Sequence, residues 1–101
     1  MQNFRTLDLA VAFYRQVVGL KLPHHLKDQL LRAASSVALN LAEGRGKSSH
    51  RDQLRYFQIA MGSLRESQTV LLLAMAPSHE SHQIADQLAA SMYRLLNPKK
   101  S

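Results

Sequence analysis

Apolar residues recur along this chain at intervals of three and four, the spacing that stacks side chains on one face of an α-helix. Leu7, Ala10, Val11, Tyr14, Val17 and Val18 form the first such stripe. Thr6 stands where an N-cap is wanted and Gly19 where a helix stops, so a first helix is expected over residues 6–19. Leu26, Leu30, Ala33, Val37 and Leu41 form a second stripe, over 23–43. Pro23 suits its first turn, where the missing N–H would be unpaired in any case. Gly44 follows as a terminator of the kind that takes positive φ.

Ser49 with Asp52 three residues later reads as a capping box, which opens a third and longest helix over 49–76. Leu54, Phe57, Met61, Leu64, Gln68, Leu71 and Met75 keep an a/d spacing along it, the pattern of helices that pack at shallow angles. Pro77 ends it. Ser78 is then the expected cap of a fourth helix over 79–97, whose core face is Ile84, Leu88, Met92 and Leu95 and whose stop is Asn97-Pro98. No segment alternates with period two, so no sheet is expected. Short connections favour antiparallel neighbours, and the fold class follows: all-α, an antiparallel up-down-up-down four-helix bundle forming one domain over residues 1–101.

The third helix carries more apolar surface than one bundle buries. The run Leu71-Leu72-Leu73-Ala74-Met75-Ala76 is apolar around its circumference, and Tyr56, Ile59, Ala60 and Val70 lie off the a/d stripe. Tyr56, Ile59, Val70, Leu72 and Leu73 are therefore candidates for an interface with a second copy of the chain. The alternative is a wide core stripe with scattered exposed apolar residues.

Composition narrows the class. In 101 residues, 46% are hydrophobic and 20% charged, which leaves room for one core and argues against disorder. No apolar run approaches the length of a membrane span, and the first residues lack the pattern of a secretory signal, so a cytoplasmic, soluble protein is expected. With no cysteine there are no disulfides, thiolate zinc sites or cysteine nucleophiles. Thirteen Lys and Arg against seven Asp and Glu give a formal charge of +6 and a pI near 10.2.

Such an imbalance points to an anionic partner, with a merely solvated basic surface as the alternative. Arg45, Lys47, Arg51 and Arg55 fall within one loop and the turns after it, with His50 among them, and clustered charge is what binds phosphates. Arg32, Lys99 and Lys100 are less central candidates for the same surface. Gly46-Lys47-Ser48 is not a nucleotide-binding loop, because Leu41 replaces the required glycine and a helix leads in where a strand is needed. A single phosphate at the start of the third helix remains chemically reasonable.

His79 and His82, with Glu80 and Asp86 nearby, have metal-compatible spacing, as do His24, His25 and Asp28; neither set supplies a clear complete ligand shell. No nucleophile, base and orienting group can be assembled from the spacing, so no catalytic residue, metal or cofactor is assigned. Asn40 is expected to face the neighbourhood of Gln53, and Glu43 to face His50, Arg51 and Leu54, fixing the register of the hairpin formed by the second and third helices. Glu66 lies on the same helix pair. Gly62, inside a long helix where glycine costs about 1 kcal/mol relative to alanine, is expected to permit close approach of another helix.

The paired elements Asn40-Leu41-Ala42-Glu43-Gly44 and Gly62-Ser63-Leu64-Arg65-Glu66, joined through a Ser/Lys-rich turn, resemble the four-helix-bundle protein family encoded in 23S rRNA intervening sequences. The accessory variability determinant (Avd) of diversity-generating retroelements looks like a relative of that family. The resemblance spans residues 4–76. It implies a homopentameric ring of bundles, a non-enzymatic role, structured RNA or DNA as ligand, and a reverse transcriptase as protein partner. Two other readings stay open: a protein-interaction scaffold with incidental basic charge, and a metal-dependent enzyme using the histidines. No membrane partner is expected.

Overall fold

The stripes fold into helices with small shifts of boundary, and each shift has a local cause. The computed structural model describes residues 4–98, with α1 over Arg5–Val18, α2 over His24–Arg45, α3 over His50–Ala74 and α4 over Glu80–Leu96. Among the described residues there is no strand. Phe4, not Thr6, is the N-cap of α1. Thr6 is instead the second helical residue and buried, its hydroxyl meeting that of Ser91 on α4 at 2.6 Å. Pro23 sits at the N-cap of α2, one position before the first helical residue.

The largest correction concerns Gly44. It does not end α2; the helix runs through it to Arg45, and the C-cap is Gly46, with φ −80°. No described residue has positive φ. At α3, Ser49 caps as expected, accepting a bond from the Asp52 N–H at 3.1 Å. Helix α3 ends at Ala74, two residues early, with Met75 already extended at φ −122° and ψ 148° ahead of Pro77. His79 caps α4 in place of Ser78, its Nδ1 accepting from the Ser81 N–H at 3.0 Å.

Helix α2 packs most extensively on α3, while α1 touches α2 and α4, and α3 touches α4; the diagonal pairs are apart. Consecutive helices are therefore antiparallel neighbours around a square, the arrangement of a four-helix bundle. The core is Ala10, Phe13 and Val17 from α1, Leu30, Ala34, Val37 and Leu41 from α2, Phe57, Ala60, Leu64, Val70 and Leu71 from α3, and Ala85, Leu88 and Met92 from α4. On α1 the buried face is rotated from the expected one: Phe13 is its centre and Val18 is exposed. On α3 it takes in Ala60 and Ser67 in place of full burial at Leu54 and Met61. Ser67 is tolerated there because its hydroxyl donates to the Ser63 carbonyl at 3.0 Å.

Two glycines behave oppositely. A Cβ at Gly44 would stand 2.8 Å from Cε1 of Phe57 and 3.0 Å from Cβ of Tyr56. Nothing in the chain lies within 4 Å of the corresponding point at Gly62, which is exposed. The close approach expected at Gly62 thus occurs at Gly44. Gly44→Ala is expected to destabilise the fold by about 1–3 kcal/mol, since the buried Phe57 ring cannot withdraw and overpacking outweighs the gain in helix propensity. Gly62→Ala is expected to stabilise the single chain by up to about 1 kcal/mol. Urea unfolding of the two variants tests both signs.

Candidate nucleic-acid interface

The length of the helices decides where the candidate cations stand. Helices α2 and α3 have 22 and 25 residues, against 14 and 17 for α1 and α4. Gln68 on α3 donates to Asp86 on α4 at 3.4 Å. Ten residues on from Asp86, α4 reaches its last residue, Leu96; ten residues back along α3 from Gln68 lies only Gln58. The first two turns of α3, with the end of α2 packed on them, therefore project past the end of α4. Beside this projection lies an open cleft of about 950 Å³ lined by His50, Arg51, Asp52, Leu54, Arg55 and Gln58.

Aromatic rings hold several of the cations on this projection. The Arg45 guanidinium lies over Phe4, 5.0 Å from the ring centroid. Phe4 in turn tilts against Phe57 with centroids 6.1 Å apart. Lys47 Nζ and Arg55 Cζ lie 5.1 Å and 4.9 Å from the centroid of Tyr56. Each such contact is worth about 0.5–1 kcal/mol at an exposed site. His50 and Arg51 are exposed at the start of α3.

Glu43, expected to face His50, Arg51 and Leu54, pairs at 3.0 Å with Lys47 in the turn just past α2. The hydrogen bond to that carboxylate first, then the charge of Tyr56 and that of the carboxylate itself, raise the Lys47 ammonium above the ordinary lysine range. Asn40, expected to face the neighbourhood of Gln53, bonds within its own helix. Its amide donates to the Ser36 carbonyl at 2.9 Å and to the Ser36 hydroxyl at 3.0 Å, and that hydroxyl meets Ser63 of α3 at 2.8 Å. Register between α2 and α3 is thus set by a serine pair with Asn40 behind it. Arg32 and Glu66 face each other across the same helix pair at 3.9 Å, both largely exposed and far from the projecting end. Lys99 and Lys100 lie outside the described residues.

Arg5 and Arg94 are two cations that sequence spacing did not single out. Both are exposed, and the Thr6–Ser91 bond places the start of α1 beside the last turns of α4, at the base of the projection. Only the pairing of chain ends by the fold brings them there.

Across the molecule, the interface candidates divide. Leu72 and Leu73 are 73% and 71% exposed, and Ile59 is partly so, while Val70 is 3% exposed and belongs to the chain's own core. Tyr56 is half-buried under its two cations. The two histidines of the α4 start have structural partners: His79 caps α4, and His82 Nε2 meets the Ala76 carbonyl at 3.1 Å. His24 pairs with Asp28 at 3.3 Å on an exposed helix turn. Among the described residues no three His, Asp or Glu side chains gather as a metal group, and no helix is long and apolar enough to cross a membrane.

A family model described as 23S rRNA-intervening sequence protein matches residues 4–97. The chain belongs to that family. A crystal structure of a protein with unknown function from the S23 ribosomal protein family of Bacteroides thetaiotaomicron VPI-5482 is similar to it, with a TM-score of 0.67 and 18% sequence identity over 92% of this chain and 93% of that one. At that identity the likeness speaks for the fold. No curated protein matches.

In this member of the 23S rRNA-intervening sequence family the Glu43–Lys47 pair is one feature that can be tested alone. Because the Lys47 pKa is raised, its contribution is fully present below the ordinary lysine value of 10.5 and is lost only as pH rises through the higher folded value. Glu43→Gln should therefore move the Lys47 titration down toward that ordinary value, read by NMR of the Lys47 side chain, while leaving helicity at neutral pH unchanged.

Proposed function

We propose that this protein is a non-enzymatic, cytoplasmic nucleic-acid-binding accessory protein that assembles with copies of itself and holds structured RNA on the projecting end of α2 and α3. The observation that carries the reading is the convergence of Arg45, Lys47, His50, Arg51 and Arg55 on one protruding surface, bordered by an open cleft. Among the described residues no carboxylate pairs with Arg51 or Arg55, so their charge is available to phosphates. The family's name supports RNA as the polymer. Resemblance to the accessory variability determinant supports a homopentamer and a reverse transcriptase as the protein assisted.

Binding through several phosphates releases counterions, so log affinity should fall linearly with log salt, with a slope of about −0.7 to −0.9 per phosphate contact. The double variant Lys47→Glu, Arg51→Glu should weaken RNA binding across all sequences and flatten that slope. Unaltered affinity in the double variant, with helicity intact, would show the projection to be ordinary solvated surface. The scaffold alternative predicts polynucleotide binding that vanishes at physiological salt.

Self-assembly draws on a different surface. Leu72 and Leu73 stand exposed on α3, and a contiguous apolar exposure of this kind favours association. Light scattering is expected to return a multiple of 11.4 kDa at micromolar concentration. Leu72→Asp or Leu73→Asp should dissociate the assembly with little loss of stability, since neither side chain is in the core. A wild-type monomer would refute it.

A further inference from the structure

We infer that the projection reads the sugar–phosphate backbone of a double-helical segment, and that Tyr56 serves it as a cation-positioning residue and not as a platform on which bases stack. This rests on the reading of the projection as a nucleic-acid surface and specifies the form of ligand it takes.

Proteins that hold single strands combine a basic groove with open aromatic faces, because every unpaired base offers a face to stack. On the projection the rings are already engaged. Phe4 carries Arg45 and leans on the buried Phe57. Tyr56 has two cations over it, Lys47 and Arg55, each about 5 Å from its centroid. A base stacking on Tyr56 must displace a cation that its own phosphate would need. Tyr93, exposed on α4, is the other aromatic to consider. By the Gln68–Asp86 register it lies level with Met61 on α3, below the projecting turns.

What the rings do instead is hold positive groups at fixed places. The negative face of Tyr56 offsets the mutual repulsion of Lys47 and Arg55. Glu43 fixes Lys47 from a second direction. Cations held in a set geometry suit phosphates held in a set geometry, which a double helix offers and a flexible strand does not. Width agrees with this. Two packed helices are roughly 20 Å across, against about 12 Å for the wider groove of B-form DNA, so the pair as a unit bridges backbone strands, and the deep narrow major groove of A-form RNA keeps side chains from its bases. Recognition is therefore indifferent to sequence and sensitive to helical form.

The experiment is fluorescence anisotropy at one ionic strength with an RNA hairpin, a DNA duplex, oligo(A) and oligo(U), matched in phosphate number. The wild-type chain should bind the duplexes roughly tenfold tighter than either single strand, with oligo(A) and oligo(U) alike. Tyr56→Leu should weaken duplex binding roughly threefold to tenfold while Tyr56→Phe, which keeps the ring, restores it. Single strands that bind as tightly as duplexes overturn the inference while leaving the nucleic-acid reading intact. So does a Tyr56→Leu variant that loses affinity for oligo(A), with Tyr56→Phe restoring it, while duplex binding is unchanged, since that is stacking on Tyr56. If Tyr56→Leu unfolds by circular dichroism, the wild-type duplex comparison and Tyr56→Phe still decide. Absence of binding to all four ligands overturns the functional reading and this inference together.

Discussion

Everything at the projecting end depends on how closely α2 and α3 approach at Gly44. The absence of a side chain there lets the Phe57 ring lie against the α2 backbone, where a Cβ would be only 2.8 Å away. Phe57 so placed supports Phe4, and Phe4 supports Arg45. Tyr56, adjacent in sequence and also pressed on Gly44, receives Lys47 from the turn. The charged surface is thus built outward from one missing methyl group. Because packing at core density leaves little slack, a change at that contact is transmitted to the cations and not absorbed locally.

Polar contacts then fix which way the helices align. Ser36 with Ser63 joins α2 to α3, and Thr6 with Ser91 joins α1 to α4. A net hydrogen bond contributes only about 0.5–1.5 kcal/mol, but breaking one of a buried pair leaves its partner unsatisfied. Their value is therefore greatest against slipped registers, where both members of a pair lose their partner. Hydrophobic burial makes the bundle, and these hydroxyl pairs select its alignment. That alignment is what leaves the start of α3 extending beyond α4.

The four helices and their order were legible because a period near 3.6 is a one-dimensional signal. Rotation of each helix about its axis was less so: Leu7, Val11 and Tyr14 suggested one face of α1, while Phe13 is the side chain the core encloses. Gly44 was misread for a physical reason. A glycine before a basic turn fits both a terminator and a close contact, and only the neighbour across the gap, Phe57, distinguishes them. Thr6 and Ser78 were likewise plausible caps by type, yet Thr6 found a partner on α4 and His79 took the capping role. The cation cluster within residues 45–55 was readable because it is local. Arg5 and Arg94 were not, since only the fold brings the start of α1 beside the last turns of α4.

The positions of the two exposed features on α3 bear on how they would act together. From Arg51 to Leu72 is twenty-one helical residues, roughly 30 Å along the axis, in a molecule 40 Å long. A neighbour covering Leu72 and Leu73 would therefore leave the projection open. Each copy brings a formal charge of +6, so assembly by apolar contact alone works against electrostatic repulsion between copies. A polyanion bound at the projecting ends, as proposed, would lower that repulsion, and by linkage whatever it added to assembly, assembly would add to its affinity. On the proposed function, the basic surface and the apolar surface, though separated along one helix, would then be coupled through charge, with no change of conformation in the bundle required.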